Sequence, residues 1–174
     1  MKTVLDVGDF APDFSLIGHD GLIYTLNQYK GYRAIVLFFT SEECPYAKGI
    51  DNYLQTLAKD YYKRGVAFVA IHSGNEPQIG GKPWVSLHDP TQKIAKRYGA
   101  KVTPHFFLFD HQRMLIYSGR ALDNPKAPQK SAREDLKESL TELLDLKPIS
   151  VSETEPIGCA IPYAFAESED LALV

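Results

Sequence analysis

The sequence predicts an α/β domain with a mixed central sheet and helices on both faces of that sheet. Residues 34–39 and 66–71 are uninterrupted apolar runs, which is typical of strands buried on both sides. Between them, apolar residues recur at the spacing of one helix face. This strand–helix–strand order predicts two parallel strands joined by a right-handed crossover.

The residues before the first apolar run predict a β-hairpin extension. Residues 14–17 and 22–25 are short strand-like segments separated by turn-forming residues. The helix after the first run is expected to end near Gly65, which suits the position after a helix C-terminus. Its inner face is predicted to consist of Ile50, Tyr53, Leu54, Leu57, Ala58 and Tyr61.

The middle of the chain predicts a loop and a second helix. Residues 72–83 are rich in glycine and are expected to form the loop. Asp89 and Pro90 fit the N-cap and first position of the helix, and Gly99 is expected to end it.

The last part of the domain predicts a hairpin and a final helix. Residues 106–109 and 114–117 are apolar segments on either side of a turn, and we expect them to lie antiparallel beside the parallel pair. Ser131 and Glu134 have the spacing of a capping box, so the final helix is expected to follow them and to continue to about Leu146.

The composition changes after residue 147. Residues 1–147 are predicted to form the domain, and residues 148–174 an acidic extension with five carboxylates, three prolines and no Lys or Arg. We expect this C-terminal tail to pack on the domain around residues 158–161 and to fray after about Phe165.

Charge and hydropathy exclude several classes of function. The net charge is −3 and no dense cluster of Lys and Arg is present, so neither nucleic acid nor an anionic membrane is an expected partner. The longest apolar run is too short to cross a bilayer. The first ten residues lack the apolar region of a secretory signal, which favours the cytoplasm, although a periplasmic protein with its leader removed would read the same. Two cysteines exclude a disulfide-dense scaffold and a cysteine-rich zinc site.

Cys44 is the leading candidate for a reactive residue. It lies where the first buried strand passes into its helix, and Pro45 suits the first helical position. Free amides and the helix dipole at that point favour a thiolate, and Lys48 lies one turn further on. Glu42 and Glu43 oppose the thiolate, but we expect a net decrease in the pKa because exposed carboxylates are screened. The alternative is that Cys44 is only a small buried apolar residue.

Several motifs give the chain a family resemblance. Residues 8–16, Cys44-Pro45 and Thr103-Pro104, taken together, resemble the thioredoxin fold and its redoxin branch, the AhpC/TSA and TlpA-like proteins. The resemblance covers roughly residues 5–146. It implies a thioredoxin-like fold in which Pro104 is a cis-proline beside the active cysteine and Cys44 is the attacking thiol.

The chain also departs from the patterns of that family. Ala47 replaces the second cysteine of C-x-x-C, so no dithiol can form within the motif. Ser41 matches the hydroxyl of the peroxiredoxin pattern, but Leu37 stands where that pattern has proline. Lys48 replaces the second cysteine of the copper-chaperone pattern.

Other residues are candidates for a part in the site. Cys159 is either the thiol that resolves an intermediate on Cys44 or a packed cysteine of a docked tail. His105 and His72 end up at the same predicted sheet edge as Cys44, where a histidine can tune a thiol proton. Thr103 is expected to shape a docking groove with Pro104, and Trp84 is interpreted as a packing residue.

The sequence therefore predicts a thiol–disulfide oxidoreductase or antioxidant-type redoxin that needs no cofactor and no metal. Its expected partners are a protein or small-molecule disulfide, or a peroxide, and an external thiol reductant. The alternative is a thioredoxin-fold module that binds a partner or senses redox state with little turnover, because a fold does not by itself define a function. The sequence makes no prediction about the oligomeric state.

Overall fold

The computed structural model describes residues 4–75 and 79–164 of the chain. Within these residues the chain forms nine strands, three α-helices and two short 3₁₀ turns. The strands are β1 Ser15–Gly18, β2 Ile23–Thr25, β3 Ala34–Phe39, β4 Val66–Ser73, β5 Val85–Asp89, β6 Val102–Thr103, β7 His105–Phe109, β8 Leu115–Gly119 and β9 Cys159–Ala160. The helices are α1 Pro45–Tyr62, α2 Lys93–Tyr98 and α3 Asp135–Leu144, and the 3₁₀ turns span Leu26–Tyr29 and Pro128–Lys130.

The described strands form one large mixed sheet and one small sheet. The large sheet has the order β2-β1-β5-β4-β3-β7-β8. Strands β3, β4 and β5 are parallel neighbours, whereas β7 is antiparallel to β3 and β8 is antiparallel to β7. The small sheet pairs β6 with β9. The predicted α/β fold, with its parallel pair and adjoining antiparallel hairpin, is confirmed.

Both faces of the large sheet are covered, because side chains alternate along the strands. On one face, Val36 and Phe38 of β3 pack against α1 and α3. On the other face, Ile35, Leu37 and Phe39 pack against α2 and the hairpin of β1 and β2. Every residue of β3 is buried, as the continuous apolar run predicted. Helix α1 therefore follows a strand that is buried along its whole length, after the loop of residues 40–44.

The predicted N-terminal hairpin is present, and it extends the sheet. β1 pairs antiparallel with β2 and also with β5, where Ile17 lies opposite His88. Strand β5 was not predicted. Val85-Ser-Leu-His alternates apolar and polar residues as strands do, but the segment is short and lies between a glycine-rich loop and a proline.

The start of α2 differs from the prediction. The helix begins at Lys93 after an N-cap at Gln92, and Asp89 is the last residue of β5. The Asp89 carboxylate nevertheless accepts hydrogen bonds from the amides of Ile94 and Ala95, at 3.3 and 3.0 Å. Asp89 thus caps the helix as predicted by residue type, but it does so across a turn rather than from the N-cap position. Gly99 ends the helix as expected, in a left-handed conformation with φ of 71°.

The predicted capping box of α3 is wrong. The N-cap is Glu134, and the Ser131 hydroxyl instead accepts a hydrogen bond from the Asn124 amide at 3.2 Å. The Leu136 amide donates to the carbonyl oxygen of Ala121, at 3.1 Å. A neighbouring loop therefore satisfies the helix start that the Ser131 hydroxyl was expected to satisfy. The helix ends at Leu144, two residues before the predicted end.

Within the described residues, the C-terminal extension contacts the domain at several points along its length. The Ser118 amide donates to the Ser152 carbonyl, and the Thr154 amide donates to the Ser118 carbonyl, at 3.1 and 3.0 Å. Further on, β9 pairs antiparallel with β6. The division of the chain at residue 147 stays a prediction, and the expected fraying after Phe165 falls outside the described residues. Across residues 4–75 and 79–164, no helix combines the length and apolar character needed to traverse a bilayer.

Candidate functional site

The site is built at the junction between β3 and α1. Cys44 is the N-cap of α1, with an extended backbone (φ −74°, ψ 120°), and Pro45 occupies the first helical position. Proline has no amide proton, so the first amides that the helix can offer belong to Tyr46 and Ala47. The side chain of the N-cap residue, Cys44, makes no capping hydrogen bond to this helix start.

The Cys44 side chain is enclosed by backbone and by a second sulfur. The residue is 3% exposed. Its Sγ lies 3.0 Å from the carbonyl oxygen of Thr103, to which the neutral thiol donates, and 2.9 Å from the Sγ of Cys159. Both cysteines are free thiols. The structure therefore brings together two sulfurs that are 115 residues apart in the chain.

The loop opposite Cys44 carries the Thr-Pro motif. The Thr103–Pro104 peptide bond is cis. Just before it, Val102 and Thr103 form β6 and pair with Ala160 and Cys159, respectively. The pairing is so close at Gly158 that a Cβ there would lie 2.0 Å from the Thr103 carbonyl oxygen. Only a glycine fits at this position. The close approach places the Sγ of the following residue, Cys159, 2.9 Å from the Sγ of Cys44.

The two sulfurs have different electrostatic environments. Burial raises the pKa of Cys44, but interactions with the Cys159 side chain, the Ala47 amide and the Thr103 side chain outweigh it, so the pKa is lowered. The pKa of Cys159 is raised, first by the interaction with Cys44 and then by burial. Cys44 is therefore the sulfur that loses its proton first. The Cys159 thiol then donates a hydrogen bond to the Cys44 thiolate.

A lysine that the sequence analysis did not single out lies near Cys159. The Lys126 ammonium is 4.5 Å from the centre of the Tyr46 ring, and its charge acts to lower the pKa of Cys159. The loop of Lys126 approaches α1 closely at Gly49, where a Cβ would lie 2.3 Å from the Pro125 carbonyl oxygen. No sequence signal marks Lys126, because it comes from a loop far along the chain.

The residues predicted to support the site lie at different distances from the helix start and do not all line the same cavity. Pro45 is at the first helical position, as expected. Ser41 accepts a hydrogen bond from the Glu43 amide at 3.3 Å. Lys48 is exposed and lines a cavity of about 210 Å³ together with Glu42 and Asp51, on the side of α1 that faces Trp84. The interactions that lower the pKa of Cys44 come instead from Cys159, Ala47 and Thr103.

Both histidines lie in the interior of the domain, and the expectation that one of them tunes the thiol proton stays a prediction. The Nδ1 of His105 accepts from the Lys101 amide at 3.1 Å, and its Nε2 lies 3.2 Å from the Ser118 hydroxyl. Burial first, and the charge of Lys101 second, lower the pKa of His105 to about 4, so it is neutral near pH 7. His72 is also buried, and its Nδ1 lacks a hydrogen-bond partner within the described part of the chain. Burial first, and the charge of His88 second, lower the pKa of His72 to about 4. Both rings are held in the interior and neither lines the cleft beside Cys44.

A cleft of about 690 Å³ opens beside the two sulfurs. One side is formed by the ends of β3 and β4 and by the loop before α2, and the other by residues 158–164, which we call the strap. Gln92 holds the strap from across the cleft: its side-chain amide donates to the Pro162 carbonyl at 3.2 Å and accepts from the Ala164 amide at 2.8 Å. Gln92 was not predicted, and its left-handed backbone (φ 59°) is not readable from the residue type.

Among residues 4–75 and 79–164, no three or more His, Cys, Asp or Glu side chains are arranged to hold an ion. Two thiols beside a helix start can instead exchange electrons as a dithiol and a disulfide.

The sheet order, the covering helices and the cis-proline loop define the thioredoxin-like class of α/β folds. Within that class, the chain belongs to the Redoxin family, whose model matches residues 6–136. The resemblance read from the opening segment, Cys44-Pro45 and Thr103-Pro104 is thereby confirmed at the level of the family.

Curated relatives carry a named activity. The chain is similar to "Thiol-disulfide oxidoreductase ResA" of Geobacillus thermodenitrificans, with 29% identity over 117 residues, 63% of this chain and 66% of that protein. The protein of the same name from Geobacillus kaustophilus is 28% identical over the same coverage. The chain thus spans just under two thirds of the length of these curated relatives.

Solved structures extend the similarity over most of the chain. A hypothetical protein from Sinorhizobium meliloti 1021 has a TM-score of 0.83 and 31% identity, covering 92% of this chain and 96% of that one. An uncharacterized conserved protein from Geobacillus kaustophilus has a TM-score of 0.82 and 30% identity, covering 93% and 94%. A putative thiol:disulfide interchange protein DsbE from Chlorobium tepidum, at 22% identity and a TM-score of 0.60, covers 82% of this chain and 97% of its own and shares the fold alone.

Proposed function

We propose that this protein is a thiol–disulfide oxidoreductase that works through a Cys44–Cys159 couple. The observation that carries the proposal is the 2.9 Å separation of the two sulfurs at the start of α1. The named activity of the curated relatives supports the same class of reaction. The second thiol, which C-x-x-C enzymes carry within the motif, is supplied here by the C-terminal extension.

The reaction proceeds in two exchanges. The Cys44 thiolate attacks one sulfur of a substrate disulfide, forming a mixed disulfide and expelling the other substrate sulfur as a thiolate. The Cys159 thiol then loses its proton and attacks the Cys44 sulfur, which forms the Cys44–Cys159 disulfide and expels the remaining substrate thiolate. Two electrons have passed from the protein to the substrate, and an external thiol reductant returns them by the same exchange in reverse. No cofactor or metal takes part.

The neighbouring residues have distinct roles in this scheme. The amides at the start of α1 stabilise the negative charge on Cys44 when it attacks and when it leaves. Thr103 and Pro104 form the wall against which the substrate sulfur is held. Pro45 starts the helix and Ser41 lines the cleft, whereas Lys48 lines the smaller cavity on the side of α1 that faces Trp84. We assign His105 a structural role, because its ring nitrogens are engaged elsewhere.

The test is a thiol count with the bonded cysteines identified. The reduced protein is treated with an oxidised model disulfide, quenched in acid, and digested for mass spectrometry. We expect both thiols to disappear together and a peptide pair joined through Cys44 and Cys159 to appear. With Cys159→Ser, the reaction should stop at a mixed disulfide on Cys44, and Cys44→Ser should leave Cys159 largely unreacted.

Other outcomes would point elsewhere. Persistence of both thiols under oxidising conditions would favour a binding module with little turnover and would overturn the proposal. Retention of turnover by Cys44→Ser would show that Cys44 is not the nucleophile. Rapid conversion of Cys44 to a sulfenic acid by peroxide, with little exchange on disulfides, would assign the couple to peroxide reduction.

A further inference from the structure

The strap is bound to the domain largely through its backbone. Cys159 and Ala160 pair with β6, and the Ile161 amide donates to the Lys101 carbonyl at 3.1 Å. The Gln92 side chain bonds both the Pro162 carbonyl and the Ala164 amide. A groove that contacts amides and carbonyls in this way holds an extended polypeptide with little dependence on its side chains.

The strap has little core of its own. Each of residues 155–164 is at least partly exposed. Ile161 and Tyr163 pack against the core from outside, and the Tyr163 hydroxyl donates to the Ala100 carbonyl at 2.5 Å. The strap is therefore held by a short series of hydrogen bonds on the surface, whereas the central strand β3 is fully buried. Segments of this kind open at lower free energy than the core does.

The strap also stands in the way of the reaction. Cys44 is 3% exposed, and Cys159 Sγ and the Thr103 carbonyl oxygen lie at 2.9 and 3.0 Å from its sulfur. A substrate sulfur must approach Cys44 to bonding distance, and the Cys159 sulfur occupies that place. A disulfide within a polypeptide has to displace the strap before it can reach Cys44.

We propose that the strap is the resident occupant of a peptide-binding groove, and that an extended polypeptide segment carrying the substrate disulfide takes its place beside Cys44. The identification of the substrate as a polypeptide rests on the proposed function. After the first exchange the strap returns, and Cys159 resolves the mixed disulfide and releases the segment. The groove thus serves both the substrate and the resolving cysteine in turn.

Gly158 gives the groove a residue preference. A Cβ at Gly158 would lie 2.0 Å from the Thr103 carbonyl oxygen and 3.1 Å from the Pro104 nitrogen. A segment that binds in the register of the strap must likewise have glycine before its cysteine. Sequences with a larger residue there are expected to bind in another register or more weakly.

The first experiment measures how well the strap shields Cys44, and it needs no redox activity. In a Cys159→Ser background, Cys44 is the remaining thiol, and its alkylation by iodoacetamide is followed over a pH series to obtain the rate constant of the thiolate. Adding Gly158→Ala should raise that constant about tenfold or more, because labelling tracks the open fraction of the strap. Gly31→Ala is the matched control, since a Cβ there meets no atom within 4 Å.

A second variant guards against a general loss of structure. Gln92→Asn keeps an amide and suits a left-handed backbone, but it is one methylene too short to hold the strap. It should also accelerate alkylation, with Trp84 fluorescence and circular dichroism unchanged. If both variants are folded and label no faster than the Gly31→Ala control, the strap does not shield Cys44 and the proposal fails.

The second experiment tests the groove with a peptide. A synthetic peptide with the sequence of residues 154–164 carries its cysteine as a mixed disulfide with thionitrobenzoate. The Cys44 thiolate attacks the peptide sulfur, forms a protein–peptide disulfide and expels coloured thionitrobenzoate. We expect this peptide to react about tenfold faster than one with alanine at the position of Gly158, and faster than glutathione activated in the same way. Equal rates for all three, with alkylation still accelerated by Gly158→Ala, would overturn the peptide groove while leaving the proposed redox function standing.

Discussion

Two helices begin at the same edge of the large sheet, and their first turns are treated in opposite ways. At α2, the buried carboxylate of Asp89 accepts from the amides of Ile94 and Ala95 and from the Ser73 hydroxyl. At α1, the N-cap is Cys44, and the Ala47 amide acts on its sulfur, contributing to the lowered pKa. The start of α2 is capped by a carboxylate, whereas the start of α1 is left available to a thiolate.

The difference shows that a helix start that serves a reactive group does so without a stabilising carboxylate cap. A capping carboxylate stabilises the helix and accepts hydrogen bonds from its free amides. Those amides are then not available to stabilise another anion. A sulfur at the N-cap leaves the same partial charges available to an anion that appears and disappears during the reaction. The cap of α2 therefore stabilises the fold, whereas the N-cap of α1 is the reactive residue.

The largest expected effect comes from removing the cap of α2. Asp89→Ala leaves the Ile94 and Ala95 amides and the Ser73 hydroxyl without their acceptor in a site that is 1% exposed. We expect the free energy of unfolding to fall by about 2–4 kcal/mol. Urea unfolding measures this loss, and the pH midpoint of Cys44 alkylation should stay where it is. A loss smaller than that of a surface substitution would mean that Asp89 does not support the helix.

The next effect concerns the charge on Cys44. Cys159→Ala removes the largest of the interactions that lower the pKa of Cys44, so that pKa should rise. A higher pKa means less thiolate at a given pH, and the midpoint of the alkylation rate against pH should move upward. Ultraviolet absorbance of the thiolate gives the same midpoint independently. A midpoint that stays or moves downward would show that the interaction with Cys159 does not lower the pKa of Cys44.

A smaller effect is expected when α1 is given an ordinary cap. Serine is a good N-cap residue and alanine is a poor one, so Cys44→Ser should be more stable to urea than Cys44→Ala by about 1 kcal/mol. Neither variant should exchange with disulfides. Equal stabilities would mean that the amides of this helix start are already satisfied by other groups.

The smallest effect is expected at Lys48. Its side chain is exposed and lines the smaller cavity, away from the interactions that lower the pKa of Cys44. Lys48→Ala should leave the alkylation midpoint unchanged and the free energy of unfolding within about 0.5 kcal/mol of the parent. An upward shift of the midpoint would restore the role that the sequence suggested for this lysine.

The sequence predicted the elements whose signals are local. The strands β3 and β4 and the helix α1 followed from apolar runs and helical periodicity, and both faces of β3 are indeed buried. The position of Cys44 at a helix start followed from the same local pattern. Features set by tertiary contacts were missed. Strand β5 is only five residues long and depends on its pairing with β4 and β1, and the start of α3 depends on the Ala121 carbonyl rather than on the Ser131 hydroxyl.

The site was predictable only in part for a related reason. The direction in which a strand residue points depends on the pleat and register, so His105 was expected near the thiol but faces the interior. The approach of Cys159 to Cys44 depends on a chain reversal over 115 residues, which no spacing rule fixes. Gln92 and Lys126 act through loops whose conformation the residue types do not specify.

Gly49 has a consequence for how the protein accommodates oxidation. Its backbone lies so close to the Pro125 carbonyl that there is no room for a methyl group between them. This contact sets how closely the N-terminal half of α1 packs on the loop of Pro125. We expect the displacement between the dithiol and disulfide forms to fall on the residues around Cys159, so superposed crystal structures of the two forms should coincide over Pro45–Tyr62 and diverge around Cys159.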